Sequence, residues 1–341
     1  MKVLVSFNPS KNSDIFEGVR LRKCIKGALE ITDVPYTNYL GDNFDIAHFI
    51  SPKDESKIDQ VIAMNKPVVI SALYCESDPT ASWLEYKTNK KKGNRKTVLS
   101  QKGLRVLNKA NLVLVPTPQA KQFLIDSGVN VDIEVISSGV NMSRFDFSRD
   151  DEKSIFYRYY KEDANKKLAV VLGDYTYMEG LNSVINAAKK SPNTAFYYYG
   201  PSIKGCSFII KRVIKKAPKN LKFVTVPSDD IYRSALINAS LFIYPEYKTI
   251  GYVSLLEAMA AKTQLIIRNQ PLFVDLVKNG VTGYMAMYSE TLTSVTLDCI
   301  DGKTSNTKDM AHKEVEQYTL DTIGKKLKWL YQQTINLMNG D

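Results

Sequence analysis

Short apolar segments that alternate with amphipathic stretches are the feature that most restricts how this sequence can fold. Ten of these segments are apolar at most positions, and they lie at 2–7, 46–50, 67–70, 112–115, 133–136, 168–172, 195–199, 222–226, 241–244 and 263–268. A strand has this composition when helices cover both faces of its sheet, as in parallel sheets. Helical spacing follows several of them, at 57–64, 120–127 and 181–190. The alternation predicts an α/β chain with parallel sheets and right-handed crossovers.

The length of 341 residues suits two domains of about 150 residues each. A polar and aromatic run at 144–149 and a charged helical pattern at 150–161 are typical of a connection between domains. We therefore expect a Rossmann-like domain at 1–145, a second one at 146–310, and a C-terminal helical segment at 311–341 that can pack back on the first domain. Ligands bind outside the carboxyl ends of parallel strands, so the expected site is a cleft that both sheets face.

Composition excludes several classes of protein. No window approaches the roughly 18 uninterrupted apolar residues of a spanning helix, and the first apolar run is too short for a secretory signal. The four cysteines, at 24, 75, 206 and 299, lack the spacing of a zinc site or a disulfide frame. We expect a cytoplasmic protein without a structural metal.

The net charge of +10 is concentrated in one segment. Ten Lys and Arg residues and no Asp or Glu lie between positions 86 and 125. Such a segment favours phosphate-rich partners, which are anionic lipid surfaces or nucleic acids. A solvated loop is the alternative interpretation. The segment has few aromatic residues after Tyr86, so binding to single-stranded nucleic acid is the weaker prediction.

A second informative segment begins at the strand 241–244. A short polar loop follows this strand, and Gly251 then precedes a helical pattern that contains Glu257. A glycine there allows a ligand to approach the backbone, and the free amides of a first helical turn bind anions such as a diphosphate. Glu257 is a candidate acceptor for the hydroxyls of a ribose. A capping or ion-pairing role on the helix is the alternative for this carboxylate.

This segment resembles the donor site of glycosyltransferase family 4. The resemblance rests on GYVSLLEAMA at 251–260 and VKNGVTG at 277–283, with NASLFIYP at 238–245 and SGVNMSRF at 138–145 in the expected order. It implies the GT-B fold, in which two Rossmann-like domains face a central cleft, and the retaining transfer of a sugar from a nucleotide donor. It implies no cofactor other than this co-substrate and no metal. The donor-binding residues that it implies are Gly173, Val226, Thr249, Gly251, Tyr252, Glu257 and Arg268.

A narrower resemblance concerns the acceptor. EAMAAKT at 257–263 and IIRN at 266–269 are similar to Gram-positive glycolipid synthases, which glycosylate diacylglycerol or monoglycosyl-diacylglycerol. This implies transfer of a hexose, from UDP-glucose or UDP-galactose, at the inner face of the cell membrane. An amphipathic basic surface is what peripheral membrane binding requires. The residues expected on the acceptor and membrane side are His48, Trp83, Lys90, Lys91, Lys92 and Arg95.

Several positions depart from the family pattern. Thr249 stands where the family has the first of two paired glutamates, and Glu246 lies three residues earlier. Asp174 and Glu179 stand where the family places cations on the donor phosphates, and no histidine follows the strand 67–70. The candidate catalytic residues are therefore Lys248, Glu246 and Glu76. His48, which ends a buried strand, is either a hydrogen-bonded structural group or a general base.

These departures leave two hypotheses open. In the first, the chain is a working transferase in which Lys248, together with Arg268, supplies the phosphate cations. In the second, it is a degenerate transferase that acts as a partner or scaffold of an active enzyme. The expected partners are a UDP-sugar and an anionic membrane surface, no nucleic acid, and a protein partner if the chain is degenerate.

Overall fold

The computed structural model of the chain shows two compact units, which are described separately. It describes residues 1–7, 14–72, 99, 101–145, 150–173, 175, 178–225, 228–246, 252–269, 273 and 275–340. Unit 1 contains the described residues of 1–140 and 318–341 together with 252–253, and unit 2 contains those of 141–247 and 254–317. Compact units are not in themselves independently folding domains, so the bounds 1–145, 146–310 and 311–341 stay a prediction.

Unit 1 is built on six parallel strands in the order β2-β1-β3-β4-β5-β6. The strands are β1 (Val3–Ser6), β2 (Tyr36–Thr37), β3 (Ile46–Phe49), β4 (Val68–Ser71), β5 (Leu112–Val115) and β6 (Asp132–Val135). Its helices in the described part of the chain are α1 (Asp14–Ile31), α2 (Glu55–Ala63), α3 (Gln101–Leu107), α4 (Pro118–Asp126) and α12 (Leu320–Asn339). Every residue of β1, β3, β4 and β5 is buried, as expected for strands covered on both faces.

The C-terminal helix α12 packs against α1 at close range. The Thr319 hydroxyl accepts a hydrogen bond from the amide of Thr322 and so caps the start of the helix. A Cβ atom at Gly324 would lie 2.4 Å from the carbonyl oxygen of Ala28, so only glycine allows this approach. The ammonium group of Lys328 donates to the carbonyl of Thr32, after the end of α1. Packing and end contacts together hold α12 in unit 1.

Unit 2 has a second sheet of six parallel strands, in the order β12-β11-β10-β7-β8-β9. The strands are β7 (Lys167–Leu172), β8 (Thr194–Tyr199), β9 (Leu221–Val224), β10 (Leu241–Tyr244), β11 (Gln264–Arg268) and β12 (Tyr284–Ala286). Its helices in the described residues are α5 (Asp150–Tyr160), α6 (Met178–Lys190), α7 (Phe208–Ile214), α8 (Asp229–Asn238), α9 (Tyr252–Ala260, of which 254–260 belong to unit 2), α10 (Ser289–Ile300) and α11 (Lys308–Val315).

The predicted α/β class with two parallel sheets is confirmed, and each of the ten predicted strand segments overlaps a strand. The sequence missed β2 and β12, which are two and three residues long and lie at the edges of their sheets. The strands that were found have four to six residues each, including the edge strands β6 and β9. β2 and β12 are thus shorter than the segments of four or more residues by which the others were found.

The order of the strands in unit 2 reverses next to β7. β8 lies on one side of β7 and β10 on the other, although β10 follows only after β9 in the chain. The connections from β7 and from β10 therefore lead away in opposite directions, which opens a crevice at the carboxyl ends of these two strands. This reversal positions the site described below. Across the residues that the structure describes, every helix is too short or too polar to cross a bilayer.

Candidate functional site

Gly173 and Glu246 lie at the point where the strand order of unit 2 reverses. Gly173 follows β7 directly, and Glu246 follows β10 after one proline. Ile243 of β10 pairs with Val171 of β7, so the two strands end at the same level. Glu246 is buried, and its Oε1 accepts a hydrogen bond of 3.2 Å from the Tyr198 hydroxyl of β8. The structure thus brings two predicted site residues together, and it adds Tyr198, which the sequence did not indicate.

Gly173 has no room for a side chain. A Cβ atom there would lie 2.5 Å from the Tyr198 hydroxyl oxygen and 2.6 Å from Oε1 of Glu246. The Tyr198 and Glu246 side chains therefore already occupy the position that a side chain at 173 would need. Only glycine allows these two side chains to lie this close to the backbone at the end of β7.

Aromatic side chains hold the backbone beyond Gly173. Tyr175 is buried with a positive φ of 66°, a conformation that non-glycine residues adopt only when their surroundings impose it. Its ring lies 5.0 Å from that of Tyr198 and 5.7 Å from that of Phe223, measured between ring centroids. Packing against two strands therefore positions this loop next to the carboxyl end of β7.

Arg268 carries a buried positive charge at the end of β11. Its side chain is fully buried, and its guanidinium lies 3.9 Å from a carboxylate oxygen of Glu179. Glu179 is in the first turn of α6, where the helix dipole also stabilises a carboxylate. Glu179, which stands where the family has a cation, is thus paired with an arginine from β11. A buried guanidinium needs this kind of partner because its desolvation is costly.

Helix α9 carries Tyr252 at its first residue and Glu257 about one and a half turns later. Both side chains are buried, with exposed fractions of 2% and 5%. Apart from His48, which is described below, the remaining predicted site residues lie outside the described part of the chain. These are Glu76, Trp83, Lys90, Lys91, Lys92, Arg95, Val226, Lys248, Thr249 and Gly251. Their roles stay predictions.

In unit 1, His48 of β3 makes hydrogen bonds through both of its ring nitrogens. Nδ1 lies 2.6 Å from the Tyr331 hydroxyl of α12, and Nε2 lies 2.7 Å from the Ser71 hydroxyl at the end of β4. Complete burial lowers the pKa of His48 to about 3, so the ring is neutral. These contacts fit the hydrogen-bonded structural group, one of the two alternatives for His48, and its place on the acceptor side stays a prediction.

A pocket in unit 1 lies beside His48 and Ser71. It contains about 350 Å³ of empty space, the open mouth included. Apolar side chains from two helices form part of its wall: Leu21 and Ile25 from α1, and Ile323 and Leu327 from α12. The sequence predicted this region only as a helical segment at 311–341, because a helical pattern identifies a helix but not what its buried face encloses.

Comparison with known proteins identifies unit 2. The family described as glycosyl transferases group 1 matches residues 157–289, which include all six strands of this sheet. Residues 157–289 form a group 1 glycosyltransferase domain. Over 316 residues the chain is 22% identical to the processive diacylglycerol alpha-glucosyltransferase of Acholeplasma laidlawii, covering 92% of both chains. The glycosyltransferase is thus similar to this relative along almost its whole length.

Two solved structures are similar in fold. The Anabaena protein HepE, in complex with UDP and glucose, has a TM-score of 0.73 at 15% identity and covers 98% of this chain and 100% of its own. The sucrose-phosphate synthase of Thermosynechococcus elongatus has a TM-score of 0.66 at 17% identity and covers 85% of this chain and 73% of its own. The predicted family and the GT-B fold class are confirmed, as is the enzyme class of hexosyltransferase.

The lack of space at Gly173 predicts that Gly173→Ala destabilises unit 2. Tyr198 or Glu246 must move to admit the methyl group, and overpacking of this kind costs about 1–3 kcal/mol. Urea unfolding of the full chain measures the change. The control is Gly205→Ala, because a Cβ atom at Gly205 meets no atom within 4 Å. Equal stability of the two variants would contradict the close approach at Gly173.

The buried, neutral His48 predicts a specific loss of stability in acid. The pKa of His48 is about 3 in the folded chain and 6.5 for an ordinary histidine. Between these two pH values the unfolded chain binds a proton at this residue and the folded chain does not. Unfolding free energy should therefore fall by about 1.4 kcal/mol per pH unit from about pH 6 to pH 4 through this group. Urea unfolding measures the unfolding free energy at each pH from 6 to 4. In His48→Gln this free energy should change with pH by about 1.4 kcal/mol per pH unit less than in the wild type.

The matched control for the acid slope is Tyr331→Phe. This variant loses the hydroxyl that contacts Nδ1 but keeps the titrating ring of His48. It should be less stable than the wild type and should still lose stability steeply in acid. A slope in His48→Gln equal to that of the wild type would show that His48 is not the group responsible.

Proposed function

We propose that this enzyme transfers a hexose from UDP-glucose or UDP-galactose, with retention of anomeric configuration, to diacylglycerol or a membrane glycolipid. The observation that carries the proposal is the reversal of strand order beside β7 within the group 1 domain. Gly173 and Glu246 lie at this point, which is where open parallel sheets bind ligands.

In the proposed donor complex, the nucleotide binds to unit 2. Glu257 accepts hydrogen bonds from the ribose, and the amides at Gly251 and Tyr252 bind the diphosphate at the start of α9. Gly173, at the end of β7, is proposed beside the donor, and Val226 is proposed near the base. Thr249, in the loop before α9, is next to the sugar. HepE, a structural neighbour, is known in complex with UDP-glucose, which supports the choice of a UDP-sugar.

The charge of the leaving diphosphate has to be stabilised by preorganised groups. Arg268 is the cation that the described residues offer at the carboxyl edge of the sheet, and Lys248, in the loop before α9, is the second candidate. The pairing of Arg268 with Glu179 supports this role, because the glutamate is then already neutralised and does not oppose the phosphates.

The proposed reaction needs no protein nucleophile, metal or cofactor. The acceptor hydroxyl attacks the anomeric carbon on the face from which the diphosphate departs, and the leaving phosphate oxygen takes up the acceptor's proton. Glu246 and Glu76 are the carboxylates proposed near the reacting sugar. Exclusion of water from the bound donor limits its hydrolysis.

The pocket in unit 1 supports the choice of an apolar acceptor. The pocket beside His48 is walled in part by leucine and isoleucine side chains from α1 and α12, which suits an acyl chain better than a free sugar. The relative from Acholeplasma laidlawii is named as a diacylglycerol glucosyltransferase. We infer that the enzyme works as a peripheral protein on the inner face of the cell membrane, with Trp83, Lys90, Lys91, Lys92 and Arg95 towards the lipid.

A degenerate transferase that serves as a partner or scaffold is the second candidate. It is favoured by Thr249 in place of a glutamate and by Asp174 and Glu179 in place of cations. The two candidates differ in the binding of UDP. A scaffold of this kind shows neither sugar transfer nor a calorimetric titration with UDP or a UDP-sugar.

The first experiment measures transfer of labelled sugar from UDP-glucose and UDP-galactose to diacylglycerol in vesicles. Glu257→Gln should weaken UDP binding about 10- to 100-fold, because a hydrogen bond to a charged acceptor contributes about 1.5–3 kcal/mol. Calorimetric titration with UDP measures this affinity. The control is Glu290→Gln, a first-turn glutamate of α10, which should leave the affinity unchanged. Wild-type affinity in Glu257→Gln would exclude its role with the ribose.

The second experiment concerns the phosphate cations. Glu179→Gln should tighten UDP binding about two- to fivefold, because Glu179 no longer competes with the phosphates for the Arg268 guanidinium. The effect is small because an ion pair with one exposed partner is worth at most about 1 kcal/mol. Glu290→Gln is again the control. Unchanged or weaker binding would remove Arg268 from the phosphate site. Lys248→Ala is measured alongside, and unchanged turnover in that variant would exclude the role of Lys248.

A further inference from the structure

Helix α7 of unit 2 carries an exposed surface that the donor and acceptor sites do not use. The segment 201–228 contains seven Lys and Arg residues and no Asp or Glu. Six exposed cations and two exposed apolar side chains of this segment are called the α7 patch: Lys204, Phe208, Ile209, Lys211, Arg212, Lys215, Lys216 and Lys219.

The packing of α7 forces two large apolar side chains outwards. Ile210, Val213 and Ile214 pack against the core of unit 2, so the remaining residues of this short helix face solvent. Phe208 and Ile209 are 79% and 66% exposed. The Ser207 hydroxyl accepts a hydrogen bond from the amide of Ile210, which fixes the start of the helix. Core packing and the cap therefore hold the exposed pair in place.

The cations of the α7 patch have no carboxylate partner in the part of the chain that the structure describes. Among the described residues, none of the six lies within ion-pair distance of a carboxylate. The ammonium group of Lys211 donates to the carbonyl oxygen of Lys204 at 2.8 Å, which draws two elements of the patch together. The result is a positively charged rim around two apolar side chains.

We propose that the α7 patch binds the surface of an anionic lipid bilayer. Phe208 and Ile209 enter the boundary between headgroups and acyl chains, and the surrounding cations bind lipid phosphates, as on interfacial basic helices. Two large apolar side chains within a cationic rim match a bilayer, which offers apolar and anionic groups together. A nucleic acid offers phosphates and stacking bases, and Phe208 is the one aromatic residue of the patch.

This surface is distinct from the basic segment at 86–125, on which the membrane prediction from the sequence rested. It belongs to unit 2 rather than unit 1. The inference does not depend on the identity of the donor, the acceptor or the reaction. A degenerate protein with the same patch would bind lipid equally well, so loss of transfer and loss of α7 binding are separate results.

The test measures binding of the full chain to vesicles, made either of phosphatidylcholine alone or of equal parts phosphatidylcholine and phosphatidylglycerol. Phe208→Ser/Ile209→Ser should bind the anionic vesicles about tenfold more weakly than the wild type. The matched control is Met287→Ser/Tyr288→Ser, which removes another adjacent exposed pair, 58% and 66% exposed, from the same unit. This control should bind within about twofold of the wild type.

A second variant tests the contribution of the patch cations, and hydrogen exchange tests whether the α7 patch is the surface that contacts the vesicles. Lys211→Gln/Arg212→Gln/Lys215→Gln/Lys216→Gln should weaken anionic binding about tenfold or more and reduce its dependence on salt. Hydrogen exchange of the wild type should slow at residues 204–219 when anionic vesicles are added and stay unchanged with phosphatidylcholine alone. This local readout does not depend on the folding of any variant.

Three results would overturn the proposal. The first is unchanged hydrogen exchange at 204–219 on anionic vesicles to which the chain binds. The second is equal weakening of vesicle binding in the Phe208/Ile209 variant and in the Met287/Tyr288 control. The third is duplex or single-stranded DNA that protects 204–219 while anionic vesicles do not, which would assign the patch to nucleic acid. UDP titration of the same variants, expected to match the wild type, keeps this outcome separate from the proposed donor site.

Discussion

The structure of unit 2 depends on one steric constraint, the close approach of three strands at the carboxyl end of β7. Gly173, the Tyr198 hydroxyl and the Glu246 carboxylate meet there with no space for one additional methyl group. The parallel sheet sets this geometry, because it brings the ends of β7, β8 and β10 to one edge while the strand order reverses between β7 and β10. In the group 1 glycosyltransferase domain, this tight packing lies where the strand order reverses.

Charge at this edge of the sheet is arranged by pairing across elements. Arg268 ends β11, and Glu179 begins α6, so neighbouring strands and helices supply the two halves of an ion pair. The guanidinium is fully buried while the carboxylate is partly exposed. In the sequence, Glu179 occupies a position that the family gives to a cation, and in the structure an arginine lies beside it. The positive charge comes from another part of the chain.

In unit 1 too, residues that are far apart in the sequence form a buried contact. His48 and Tyr331 are 283 positions apart in the chain, and their side chains lie within hydrogen-bond distance because α12 packs on α1. A neutral imidazole with two hydroxyl partners is a satisfied buried group, and the apolar pocket beside it is formed by the same two helices. Helix packing thus determines both the state of His48 and the wall of the pocket.

The sequence by itself determined the α/β class, the central strands and the family of unit 2. A strand covered on both faces must be apolar throughout, and the family resemblance at 251–260 rests on one short stretch of sequence, so both are local properties. It did not reveal β2 and β12, which have only two and three residues. Tyr198 beside Glu246, Glu179 beside Arg268 and Tyr331 beside His48 were decided only by the tertiary structure. Each of these pairs joins side chains far apart in the chain, and only strand order and helix packing bring them within hydrogen-bond or ion-pair distance.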